Sequence, residues 1–154
     1  MAVAISQEVK EIILDKDTIK VLASVDLDGN PHVVAKGSLS VNDEGKIVYL
    51  ELLESSKTNK NLIGSLWFEK KVAINVISKD RRSFQIKGKP IKTLVAGRVY
   101  EEYYKKAQEK NKDNDLAAVY FIEPEEVIEE TYFARKEIEG KKHPLYIHLD
   151  RLAK

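Results

Sequence analysis

SSKTNKNLIGSLWFEKKVAINV, residues 55–76, is the stretch on which the reading of this chain turns. The polar run Ser55-Ser56-Lys57-Thr58 opens onto Leu62, Ile63 and Leu66, whose spacing predicts a short helix. Val72 to Ile77 is then a continuous, β-branched run, the pattern of a buried central strand. Hydroxyls, an ammonium group and the Asn61 amide therefore gather where a loop enters a helix. The unpaired N–H groups and the dipole at such an end favour an anion. Lys57 would add a point charge for a phosphate, and Ser55, Ser56 and Thr58 could each donate a hydrogen bond. Asn61 follows Thr58 by three residues and shares its helix face. By itself the cluster fits a plainer reading better: N-capping hydroxyls beside a solvated lysine. It is not a Walker A loop, because no glycines precede Lys57-Thr58.

Upstream of this stretch, Ser6 can cap a helix carrying Val9, Ile12 and Ile13 on one face. Ile19, Val21, Ala23 and Val25 alternate with their neighbours as a strand does. Asp28-Gly29-Asn30 is a tight-turn signal, and Pro31 opens a second strand through Lys36. Asn42 to Gly45 is another turn, followed by a third strand, Ile47 to Leu50. Downstream, Ser83 to Lys87 and Ile91 to Val99 read as two strands joined at Gly88-Lys89-Pro90. From Tyr100 the period changes to helical, with Tyr100, Tyr103, Tyr104 and Ala107 on one face. Packing explains those tyrosines better than base stacking does. Ala118 to Ile122 reads as a last core strand, stopped at Glu123-Pro124. Residues 124–154 form a charged extension with scattered aromatics, open to strand, helix or arm.

Hairpins dominate this order and no βαβ alternation occurs, so the expected architecture is mainly β: an antiparallel barrel or strongly curled sheet with flanking helices. The 154 residues suit one domain, 1–154. Twenty-six basic against 25 acidic side chains leave a net charge of +1, which supplies no field for nucleic acid or an anionic membrane. With no cysteine, disulfides, thiolate catalysis, Cys-ligated zinc and iron–sulfur clusters are excluded. No apolar leader opens the chain, and no uncharged run approaches the roughly 20 residues of a membrane helix, so a cytoplasmic protein is expected. His32, His143 and His148 lack a metal-ligand spacing, and no metal site is expected. No acid–base constellation stands out.

The order strand, Asp-Gly-Asn-Pro turn, strand, Gly-ended turn, strand, then a Ser-rich Lys-Thr loop opening a helix resembles the pyridoxamine 5′-phosphate oxidase-like FMN-binding split barrels. The Lys57-Thr58-Asn59-Lys60-Asn61 run is similar to the Lys-Thr-x-x-Asn phosphate loop of small bacterial FMN-binding proteins. The likeness covers about residues 5–123 and rests on the order and spacing of short motifs. It implies a six- to seven-stranded antiparallel split β-barrel that binds FMN at the interface of a homodimer. The phosphate would then lie on Lys57, Thr58 and Asn61, with Ser55 or Ser56 nearby. The isoalloxazine would run along Val34, Ala35, Lys36, Gly37 and Ser38, with Tyr49 and Leu50, to Leu52, beside it. Lys36 would reach the flavin or its phosphate. Arg82-Ser83-Phe84 or Trp67-Phe68 are candidates for the partner's share of the site.

The flavin carries the redox chemistry in such proteins, so an oxidoreductase acting on a small molecule is expected without a protein nucleophile. The alternatives are an FMN carrier or sensor, a barrel that binds deazaflavin or haem, and a cofactor-free interaction module. The terminal Arg151-Leu152 lacks the proline and the context of the substrate-binding Arg-Leu-x-Pro sequence of the true oxidases, so vitamin B6 oxidation is not the first expectation.

Overall fold

Two strands adjacent in sequence lie at opposite edges of one sheet, and that single fact closes the barrel. The computed structural model describes residues 1–153. Its sheet has seven antiparallel strands: β1 (Ile19–Val25), β2 (Pro31–Ala35), β3 (Leu39–Val41), β4 (Ile47–Glu51), β5 (Val72–Ile77), β6 (Ser83–Leu94) and β7 (Ala118–Glu129). They are ordered β2-β1-β5-β6-β7-β4-β3. Only residues 36–38 connect β2 to β3, so the sheet must curl until its edges meet. Lys20 of β1 ties this seam from inside, donating to the carbonyls of Leu39 at 3.4 Å and Ile13 at 3.1 Å.

Four helices flank the sheet: α1 (Gln7–Leu14), α2 (Lys57–Phe68), α3 (Arg98–Lys110) and α4 (Tyr132–Lys142). The predicted cap holds, with Ser6 Oγ accepting from the Val9 N–H at 3.3 Å. Val9, Ile12 and Ile13 of α1, and Leu62 of α2, fill the barrel against Leu22, Ile74, Val76, Ile86, Tyr49 and Tyr120. Helix α3 builds a second cluster outside it, where Tyr100, Tyr103 and Tyr104 pack on Val48, Leu116 and Val119. Those tyrosines are packing residues, as their spacing suggests.

Three expectations need correction. The predicted Gly88-Lys89-Pro90 turn does not exist: β6 runs unbroken from Ser83 to Leu94. Gly88 is there for close approach, since a Cβ on it would lie 2.2 Å from the Glu123 carbonyl oxygen. Pro90 and Pro124 keep register partners, Ile122 and Gly88, but each sits beside a skipped residue, Ile91 and Glu125, where the ladder is locally disrupted and a missing N–H costs little. For the same reason β7 does not stop at Pro124 but continues to Glu129. The short edge strand β3 was not foreseen. The C-terminal extension resolves into the end of β7, then α4 and a 3₁₀ turn at Leu149–Arg151.

Across β2, β1 and β5 the sheet is largely apolar on both faces, whereas β6 turns Ser83, Gln85 and Lys87 outward. Directly paired residues share a face. The registers therefore set Val33, Ala23 and Ala73 in one outward row, and Ala35, Val21 and Asn75 in the next. Val33 is 66% exposed and Ile19, on the same side, is 58% exposed. An antiparallel sheet with one solvated face ordinarily carries polar residues there.

Candidate functional site

A groove of about 400 Å³ lies at the seam of the barrel. Its walls are the β2–β3 link, Ala35 to Ser38, and the end of β4 with the residues after it, Tyr49 to Leu53; Lys110 of α3 closes one end. The volume falls within the roughly 300–1,000 Å³ of small-ligand sites. The link is held to β4 by the Ser38 hydroxyl, which donates to the Leu50 carbonyl at 2.7 Å.

A buried carboxylate anchors the floor. Glu51 is 1% exposed. It accepts from the Tyr49 hydroxyl at 2.7 Å, the Ser56 hydroxyl at 2.7 Å and the Leu53 N–H at 3.0 Å. Lys36 Nζ stands 3.9 Å from it and 5.6 Å from the centre of the Tyr49 ring. A carboxylate so deep needs these donors to offset its lost hydration. Burial, then the bond to Glu51, drives the Tyr49 phenol far above its ordinary range, so it stays neutral and donates. Tyr120, stacked on Tyr49 with centroids 6.2 Å apart, is pushed up to about 12, chiefly by burial. Its hydroxyl donates to Asn59 Oδ1 at 2.5 Å.

Through Ser56 this network fixes the head of α2. Ser56 donates to Glu51 and its oxygen accepts from the Asn59 N–H at 2.9 Å, the N-cap bond. Asn59 in turn donates to the Glu54 carbonyl at 2.8 Å, closing the 54–59 turn. The N–H groups of Lys57 and Thr58 precede the first intrahelical bond and have no acceptor among the described residues.

The expected site residues are partly brought together. Ala35, Lys36, Gly37, Ser38, Tyr49 and Leu50 line the groove. Ser56 joins it through Glu51, and Ser55 and Lys57 are exposed beside it in the chain. Thr58 and Asn61 are 1% and 2% exposed and face the barrel interior, where Asn61 Nδ2 donates to Ser24 Oγ at 3.0 Å. The Thr58 hydroxyl and Asn61 Oδ1 are buried without a partner. Val34 pairs with Leu22 on the inner side of the sheet, away from the groove. Of the residues considered for a partner's share, Phe84 is buried in the core, whereas Trp67 and Phe68 are exposed.

Lys110 was missed by sequence reasoning, and Glu51, within the expected Tyr49–Leu52 wall, was not foreseen as its buried anchor. An acid at a strand end reads as solvent-facing. Its signal is the company it keeps, Tyr49 two residues before and Ser56 five after.

The sequence matches no family model and no curated protein. Solved structures do resemble it. HupZ of Group A Streptococcus gives a TM-score of 0.66 at 24% identity, over 83% of this chain and 95% of HupZ. A protein described as a pyridoxamine 5′-phosphate oxidase, from Lactobacillus delbrueckii, gives 0.62 at 25% identity, over 81% of this chain and 93% of that one. An FMN-binding protein from Syntrophomonas wolfei gives 0.64 at 15% identity, over 79% and 82%. The chain has the split-barrel fold of the pyridoxamine 5′-phosphate oxidase-like proteins. Proteins with different named ligands share that fold, among them an F420 reductase (TM-score 0.58, 17% identity) and HutZ, the haem storage protein of Vibrio cholerae (0.59, 16%).

Proposed function

We propose that this protein is a homodimeric FMN-binding flavoprotein that serves as an oxidoreductase for a small molecule. The observation that carries the proposal is the placing of cations around the seam groove. Lys36 and Lys110 line it, and Lys57 follows the Ser56–Glu51 anchor at a helix end with two free N–H groups. The one carboxylate on the floor, Glu51, is already engaged by three hydrogen-bond donors. A ribityl phosphate suits Lys57, Ser55 and the N–H groups of Lys57 and Thr58. The 35–38 and 49–53 segments offer backbone and apolar edges to a flat ring.

Thr58 and Asn61 serve this site from inside, by seating α2 on β1 through the Asn61–Ser24 bond. Flavin is preferred over haem because no His, Cys or Met lines the groove, and the hydroxyl of Tyr49, the remaining haem-ligand type there, is committed to Glu51. Bound FMN would supply hydride chemistry; the chain binds and orients it.

The largely apolar outer face of β2, β1 and β5 supports the homodimer. A second copy packed on that face would bury Val33, Ile19 and their rows, an isologous contact.

Lys57→Ala is expected to weaken FMN binding by about 1.5–3 kcal/mol, the range for a hydrogen bond to a charged group, or on the order of 10- to 100-fold. Titration of flavin fluorescence measures this. Wild-type affinity in the variant would remove the phosphate from this helix end. Anaerobic bleaching of the bound flavin by a reduced nicotinamide would favour an enzyme over a carrier.

A further inference from the structure

The C-terminal arm is folded but covered by nothing in its own chain. From Tyr132 to Ala153 every residue except Ala134 is exposed, and α4 buries none of its residues. Phe133 is 76% exposed, Leu145 89%, Ile147 65% and Leu149 72%. Its aromatic contacts stay within the arm: Tyr132 on Phe133, and His143 stacked on Tyr146 at 4.4 Å. An 11-residue helix is below the length of about 12–15 residues at which helices hold alone in water. A tertiary surface must therefore cover this one.

Three observations choose the surface. The arm leaves the barrel at the border of the apolar outer face, where Ser83 pairs with Ile77 beside Ile19. Its exit is clamped there: the Glu130 N–H donates to the Ser83 carbonyl at 2.8 Å, and the Ser83 N–H donates to Thr131 Oγ1 at 2.9 Å. The arm also differs in charge from the rest of the chain: residues 131–154 hold six Lys and Arg against three acids, while the remainder holds 20 against 22.

We propose that residues 132–153 of each copy dock onto the barrel of a second copy, reached across the outer sheet face, so that two arms clasp the dimer. This rests on the homodimer reading and adds the arm as a second, separable contact.

Sedimentation equilibrium of the full chain tests it, comparing wild type with Phe133→Asp/Leu149→Asp and, separately, Val33→Asp. The expected result is a wild-type dimer, with dissociation raised at least 10-fold by the arm variant and also raised by the face variant. Dimerisation unchanged in the arm variant overturns the clasp and leaves the face contact standing. A wild-type monomer overturns both. Hydrogen exchange on the unmutated protein gives an arm readout free of folding defects. Amides of 132–142 should be protected at concentrations where the dimer forms and lose that protection on dilution. Protection that ignores concentration would mean the arm folds on its own chain, against the proposal.

Discussion

Glu51→Ala should destabilise the fold by about 3–5 kcal/mol, the range for stripping one partner from a buried charged network. Four groups depend on this carboxylate. The Tyr49 hydroxyl, the Ser56 hydroxyl and the Leu53 N–H donate to it, and Lys36 sits 3.9 Å away. Removing it leaves a buried phenol and a largely buried ammonium without their acceptor, and frees the Ser56 side chain that caps α2. Urea unfolding followed by circular dichroism measures the loss. Glu51→Gln keeps one acceptor oxygen but turns an amide N–H₂ toward donors, so it should fall between wild type and Ala. A cost below about 1 kcal/mol for the Ala variant would show that the network contributes little and that the α2 cap stands without it.

Gly88→Ala is expected to cost about 3 kcal/mol or more, the upper end of overpacking effects. The new methyl would lie 2.2 Å from the Glu123 carbonyl oxygen and 3.2 Å from Ile122 Cγ2. The first of these is backbone, so no side chain can swing away. The strands β6 and β7 must part where they share the longest pairing in the sheet, which includes the Gly88–Pro124 register point. Thermal unfolding would record this as a fall in the midpoint. A neutral substitution would mean that the two strands approach less closely than this geometry requires.

Gly88 also shows why part of the fold was hidden in the sequence. Gly-Lys-Pro is turn chemistry when read locally. Its use here, one strand crossing close under another with shifted register, depends on a partner more than 30 positions away. Pro124 misled in the same way, because a proline ends a strand only where its N–H would be needed. The edge strand Leu39–Val41 is three residues long and cannot display alternation. Signals that act locally were readable. Asp28-Gly29-Asn30 makes its turn with Gly29 at φ +84°, and Asp26 gathers the N–H groups of Asp28 and Asn30. The helix starting at Lys57, with its Ser56 cap, was legible for the same reason.

The candidate site divides similarly. The two wall segments and the α2 head were found because each carries a continuous motif. What the sequence concealed was direction. Thr58 and Asn61 share a helix face, as their spacing demands, and that face turns toward Ser24 inside the barrel. Which of several polar faces points inward is settled by tertiary packing. Glu51 was hidden because alternation cannot distinguish an outward acid from one that serves as an internal anchor.

The most direct measurement is a titration of the purified, full-length chain with FMN, read by flavin fluorescence and by the mass of whatever co-purifies. The account predicts one FMN per chain, bound saturably, with two flavins in each dimer. A colourless protein that leaves the emission of added FMN unchanged at every concentration would contradict it.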